Sequence, residues 1–153
     1  MAPGALPTPT VLVTGATGYI GGRLVPVLEK AGVRVRCLAR HPAALVSRVA
    51  PTTAVIAKNL FDPASLDAAL AGIDVAYYLV HSMGAYGDYL EKDRIAARNF
   101  GEAARRAGVP RIIYLGGLAG GGEVLSAHLE SRLETGRILR HSGVPVVDSG
   151  RPS

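Results

Sequence analysis

The sequence predicts an α/β protein: a doubly wound parallel sheet of about six strands with helices on both faces. Three observations carry this. Short apolar runs rich in Val, Ile and Tyr alternate with longer segments whose apolar residues recur every three or four positions. Strands buried on both faces and joined by crossover helices read this way. Glycine closes four helical segments just before an apolar run, in Ala31-Gly32-Val33, Ala71-Gly72-Ile73, Ala107-Gly108-Val109 and Ser142-Gly143-Val144. At a helix C-terminus glycine takes positive φ without strain and turns the chain toward the sheet. Finally, 48% hydrophobic and 19% charged residues in a chain of 153 suit one domain with a buried core rather than a disordered segment.

The elements follow in order. Residues 1–9, with Pro3, Pro7 and Pro9, read as a flexible leader, 10–148 as the folded domain and 149–153 as a tail. The first strand is Thr10–Thr14. It runs into a glycine turn and a helix whose apolar residues are Ile20, Leu24, Val27, Leu28 and Ala31. Pro26 lies inside that helix, where it removes a backbone hydrogen bond. Further strands are expected at Val33–Ala39, Thr53–Ala57, Val75–Val80, Arg111–Leu115 and Val144–Val147. A long helix spans about Tyr86 to Ala107, and another Ser126 to His141. Pro110 and Pro145 reinforce two of the helix stops. Gly116 to Gly122 forms a glycine-dense loop at the same sheet edge as the first glycine turn, the edge where ligands bind in such folds.

Charge and cysteine usage narrow the partners. The net charge is +5, and 14 of the 17 basic residues are Arg. They are scattered, for example at Arg23, Arg48, Arg98 and Arg137, and Trp is absent. This argues against a nucleic-acid partner and fits attraction of a small molecule carrying phosphate. Cys37 is the single cysteine, so no internal disulfide forms, and no Cys/His cluster has metal-ligand spacing. A reducing, cytoplasmic setting is the plain reading. The first 22 residues are uncharged, but they lack a basic start and are broken by proline, unlike a signal peptide. The uncharged run Val75–Gly87 is too short to span a bilayer, so no membrane partner is expected.

The chemistry concentrates in Gly15-Ala16-Thr17-Gly18-Tyr19-Ile20-Gly21. Glycines three apart, between a buried strand and a helix, let backbone N–H groups and the helix dipole meet a phosphate. A dinucleotide is the expected ligand. In NAD sites an acidic residue about 20 positions on meets the adenosine ribose. Here Arg36-Cys37-Leu38-Ala39-Arg40-His41 has none, and Arg40 stands at the strand end. A guanidinium there suits a 2′-phosphate, which favours NADP over NAD. The other reading of Arg40 is an ordinary solvated charge. Asn59, after the third strand, either meets the adenine edge or makes a turn.

Thr14-Gly15-Ala16-Thr17-Gly18-Tyr19-Ile20-Gly21 resembles the opening of the atypical and extended short-chain dehydrogenase/reductases, including the NmrA-like group. Leu38-Ala39-Arg40-His41-Pro42, Asn59-Leu60-Phe61-Asp62-Pro63, Tyr78-Leu79-Val80-His81-Ser82-Met83, Arg98-Asn99-Phe100 and Ile113-Tyr114-Leu115-Gly116-Gly117 extend the resemblance over about Thr10 to Val147. It implies a Rossmann-like domain holding NADP, or alternatively NAD. It implies that Asn59 and Leu60 lie near the adenine, that Val80 and His81 border the nicotinamide-side ribose, and that Asn99 supports the fourth helix. In that family Asp commonly stands in place of Asn59.

The departures are equally plain. Catalytic members carry a Ser at the end of the fifth strand and a Tyr-x-x-x-Lys on the next helix. Here the strand ends Leu115-Gly116-Gly117, and the helix offers His128-Leu129-Glu130-Ser131-Arg132. His128 can exchange a proton near neutral pH, but Arg132 does not replace a pKa-tuning Lys, and no catalytic residue is assigned. Family members are also longer, so the resemblance implies that the C-terminal substrate-binding part is absent here. Two readings follow. One is the NADP(H)-binding domain of an oxidoreductase or epimerase relative with an unassigned small-molecule substrate. The other is a non-catalytic dinucleotide sensor of the NmrA-like kind.

Overall fold

The computed structural model describes residues 7–80, 89–115 and 126–148, with side chains for all of these except 89 and 126–129. In chain order the elements are β1 (Thr10–Thr14), α1 (Tyr19–Lys30), β2 (Arg34–Ala39), α2 (Ala43–Val46), β3 (Ala54–Ala57), α3 (Pro63–Leu70), β4 (Val75–Tyr78), α4 (Tyr89–Arg106), β5 (Ile112–Tyr114), α5 (Ser126–His141) and β6 (Val146–Asp148). The sheet order is β3-β2-β1-β4-β5-β6, and every pairing is parallel. Strand order reverses between β1 and β4, so the crevice used by ligands in such sheets opens over their carboxyl ends.

β1 is buried on both faces. Leu12 packs with Leu66 and Leu70 of α3, Phe100 of α4 and Leu139 of α5. Val11 and Val13 pack on the other side with Val25 of α1, Cys37 and Leu45 of α2. Helices therefore cover both faces, α3 to α5 on one and α1 with α2 on the other. Ile113 of β5 and Val147 of β6 join neither cluster, and Val147 is exposed. Gly32, Gly72, Gly108 and Gly143, the four helix-to-strand glycines, all have positive φ, between 73° and 95°.

The structure adjusts several expectations. β4 ends at Tyr78 rather than Val80, because the Leu79 N–H donates to Thr14 Oγ1 and leaves the ladder. β6 starts at Val146, after Pro145, whose missing N–H cannot pair. The buried stripe of α1 is also displaced. Gly21 and Val25 are buried, with Leu24 and Leu28 beside them, while Ile20 and Val27 are exposed. The cause is Gly21, which lies against the β1 turn and fixes which way the helix faces. Pro26 is exposed, and α1 continues past it to Lys30. α2, a single turn, gives too little periodicity to be read from sequence.

Candidate functional site

The glycine turn sits at the carboxyl end of β1. Gly15 has φ +77°, and a Cβ there would lie 2.9 Å from the Leu79 carbonyl oxygen. A Cβ on Gly21 would lie 2.2 Å from the Gly15 carbonyl oxygen and 2.9 Å from Ala16 Cα. Both glycines are demanded by the fold itself. Gly18 differs. Its φ of −77° suits any residue, and a Cβ would meet only the Gly15 oxygen, at 3.3 Å. The free space at Gly18 therefore faces solvent, where a ligand backbone can approach.

The start of α1 is built for an anion. Gly18 is its N-cap without any side-chain capping bond, and the first turn contains no acidic residue. The positive end of the helix dipole is thus left uncompensated by the protein. Thr17, Gly18, Tyr19 and Ile20 are exposed around it, whereas Ala16 is buried and anchors the turn in the core. The Arg23 guanidinium lies over the Tyr19 ring, 4.2 Å from its centroid, which brings a further cation to this end of the helix.

Thr14 holds the turn in place, a role not apparent from sequence. Its Oγ1 donates to the Tyr77 carbonyl at 2.9 Å and accepts the Leu79 N–H at 3.2 Å. The ends of β1 and β4 are stitched together directly beneath Gly15. The only sequence signal is a threonine as the last strand residue before the first glycine.

Beside the turn, at the ends of β2 and β3, lies an open cleft of about 400 Å3. Arg40, Ala57, Lys58, Asn59, Asp62 and Ser65 line it. Arg40 and Asn59, chosen from sequence, are brought together here. Asn59 does form a turn: its Oδ1 accepts the Phe61 N–H at 2.9 Å. Its amide nitrogen makes no hydrogen bond among the described residues. Leu60 packs against the core, and its carbonyl accepts Asn99 Nδ2 at 2.9 Å. Asn99 therefore ties α4 to the loop after β3. Val80 packs against the same core just past β4. His81 lies outside the described residues, as does the glycine-dense segment Gly116 to Gly122.

The two fully buried tyrosines serve the core. Tyr78 and Tyr114 are both at most 1% exposed. Burial pushes the Tyr78 hydroxyl far above its usual range and the Tyr114 hydroxyl up to about 12. Tyr114 donates to the Arg132 carbonyl at 2.9 Å, which fastens β5 to α5. The helix carrying His128 is where sequence places it, and the His128 side chain lies outside the described atoms. Cys37 is fully buried; burial, with Glu29 as a second cause, raises its thiol to about 11 and keeps it an unreactive core group. Among the described residues no group of three or more His, Cys, Asp or Glu could hold a metal, and no helix is long and apolar enough to cross a membrane.

A parallel sheet with a glycine cradle at its switch point defines a dinucleotide-binding protein of the Rossmann type. Residues 15–144 match the model of an NAD(P)H-binding family, and the chain belongs to that family. A 3β-hydroxysteroid dehydrogenase/Δ5→4-isomerase of Mycobacterium tuberculosis is 31% identical over 134 residues, 75% of this chain and 36% of that protein. Short-chain dehydrogenase/reductase family 42E member 1 of Bos taurus is 33% identical over 117 residues, 71% of this chain and 29% of that protein. The crystal structure of a Citrobacter sp. triphenylmethane reductase complexed with NADP(H) superposes with a TM-score of 0.72 at 28% identity, covering 91% of this chain and 48% of that one. The chain thus spans about a third of the length of the curated relatives it matches. It is an NAD(P)-binding domain related to the short-chain dehydrogenase/reductase proteins.

Proposed function

We propose that this chain binds NADP(H) in preference to NAD(H), as the cofactor-holding part of a short-chain dehydrogenase/reductase relative with oxidoreductase or epimerase activity. The observation that carries the reading is Arg40. It stands at the carboxyl end of β2 in the cleft beside the glycine turn, and that strand end has no acidic residue for a ribose 2′-hydroxyl. The pyrophosphate lies over the backbone of Gly15, Ala16, Thr17, Gly18, Tyr19, Ile20 and Gly21, held by the α1 N-terminus. Arg40 would hold the 2′-phosphate through charge-assisted hydrogen bonds of its guanidinium. Asn59 and Leu60 border the adenine, and Val80 with His81 borders the nicotinamide-side ribose. The bound nicotinamide supplies the hydride chemistry; this chain's residues bind and orient the cofactor, and none is assigned to proton transfer.

Replacing Arg40 with Ala tests this. NADPH affinity measured by calorimetry is expected to fall tenfold or more, about 1.4 kcal/mol, with NADH affinity unchanged. Equal loss for both cofactors would sink the assignment of Arg40. Oxidation of NADPH against a panel of carbonyl compounds tests the enzyme reading; intact binding without turnover would favour the sensor reading.

A further inference from the structure

We propose that Lys58 is the second half of the 2′-phosphate site, a cation beside Arg40 in the cleft. The proposal rests on the NADP(H) reading above and deepens it. β2 and β3 are parallel, with Ala39 opposite Ala57, and the Lys58 N–H donates to the Ala39 carbonyl at 3.2 Å. Arg40 and Lys58 therefore leave neighbouring strands at the same level, and both line the cleft. Like charges on adjacent strands repel unless something negative lies between them. Neither side chain has an ion pair or hydrogen bond among the described residues.

Asp62 is the one carboxylate lining the cleft, and it does not neutralise the pair. It forms no ion pair with either cation among the described residues, and it sits at the N-cap of α3. Ser65 is also occupied, donating its hydroxyl to the Asp62 carbonyl at 2.9 Å. Two adjacent cations without a partner among the described residues, in a cleft roomy enough for an adenosine, match a dianionic phosphate monoester. A 2′-hydroxyl has no use for them. Their chemistry divides the work: the planar guanidinium of Arg40 offers the two-pronged contact and the ammonium of Lys58 a point charge.

The test compares 2′,5′-ADP with 5′-AMP, and NADPH with NADH, by calorimetry on the wild-type chain, Lys58→Ala, Lys58→Arg and Arg40→Ala. Lys58→Ala is expected to weaken 2′,5′-ADP and NADPH at least fivefold and to leave 5′-AMP and NADH within twofold. Lys58→Arg restores most of the loss, and the salt dependence of NADPH binding is shallower in Lys58→Ala. Unchanged binding in Lys58→Ala, or equal loss for phosphorylated and unphosphorylated ligands, overturns the proposal. If Arg40→Ala alone is selective, the NADP(H) reading stands and Lys58 is excluded from it. If the wild-type chain does not distinguish 2′,5′-ADP from 5′-AMP, the NADP(H) reading falls and Lys58 falls with it.

Discussion

Gly21 and Gly22 are neighbours in α1, and alanine is expected to affect them in opposite directions. At Gly21 the new Cβ would lie 2.2 Å from the Gly15 carbonyl oxygen, against a floor of 3.0 Å that real Cβ atoms respect. The obstacle is backbone, so either α1 or the turn must move. Overpacking of this kind costs about 1–3 kcal/mol, and the better helix propensity of alanine returns at most about 1 kcal/mol. The net loss of about 1 kcal/mol, and at most about 2, corresponds to a Tm lower by about 2–4 °C, and at most about 4–8 °C, for a domain of this size. At Gly22 the nearest atom is the Ala16 carbonyl oxygen at 3.5 Å, an ordinary contact. There the propensity gain stands alone, and Tm is expected to rise by about 2–4 °C. Thermal unfolding of both variants, followed by circular dichroism, measures the difference. NADPH titration adds a second readout, since Gly21→Ala displaces the Gly15 turn proposed to hold the pyrophosphate. Equal stability of the two variants would refute the argument that Gly21 sets the approach of α1 to β1.

Three further outcomes follow from the same geometry. Thr14→Val keeps the shape of a residue only 1% exposed but removes the oxygen that accepts the Leu79 N–H, and urea unfolding should show a loss of about 1–3 kcal/mol. Gly18→Ala should cost up to about 1 kcal/mol of stability, since alanine is a poor N-cap and its Cβ would crowd the Gly15 carbonyl oxygen at 3.3 Å, while NADPH affinity drops at least tenfold. Stability should also decline in alkali. The folded state holds the Cys37 thiol protonated, raising it from 9.0 to about 11, and the Tyr114 hydroxyl, raising it from 10.0 to about 12. In that window the unfolded chain binds fewer protons, so the contribution is full below about pH 9 and is lost as pH rises through the folded values. Urea midpoints measured from pH 8 upward check the decline, and Cys37→Ala should flatten its first part.

The parallel sheet was legible because strand and helix periods differ and because four glycines punctuate the returns. All four take the positive φ expected of them. The phase of α1 was not legible. Ile20, Leu24, Val27, Leu28 and Ala31 look like one apolar stripe, yet a residue with no side chain, Gly21, decides which side faces the sheet. Arg40 and Asn59 were legible as strand-end residues with suitable chemistry. The placing of Lys58 beside Arg40 was not, because it depends on the register that sets β3 beside β2. The hydrogen bonds of Thr14 and Asn99 span 63 and 39 positions of sequence, so pattern alone does not show what they hold.

The most direct measurement is the NADPH-to-NADH affinity ratio of the wild-type chain, taken by calorimetry at fixed ionic strength. The Arg40 and Lys58 cleft, with no acid at the end of β2, predicts NADPH tighter by tenfold or more. Equal affinity, or tighter binding of NADH, would contradict the account.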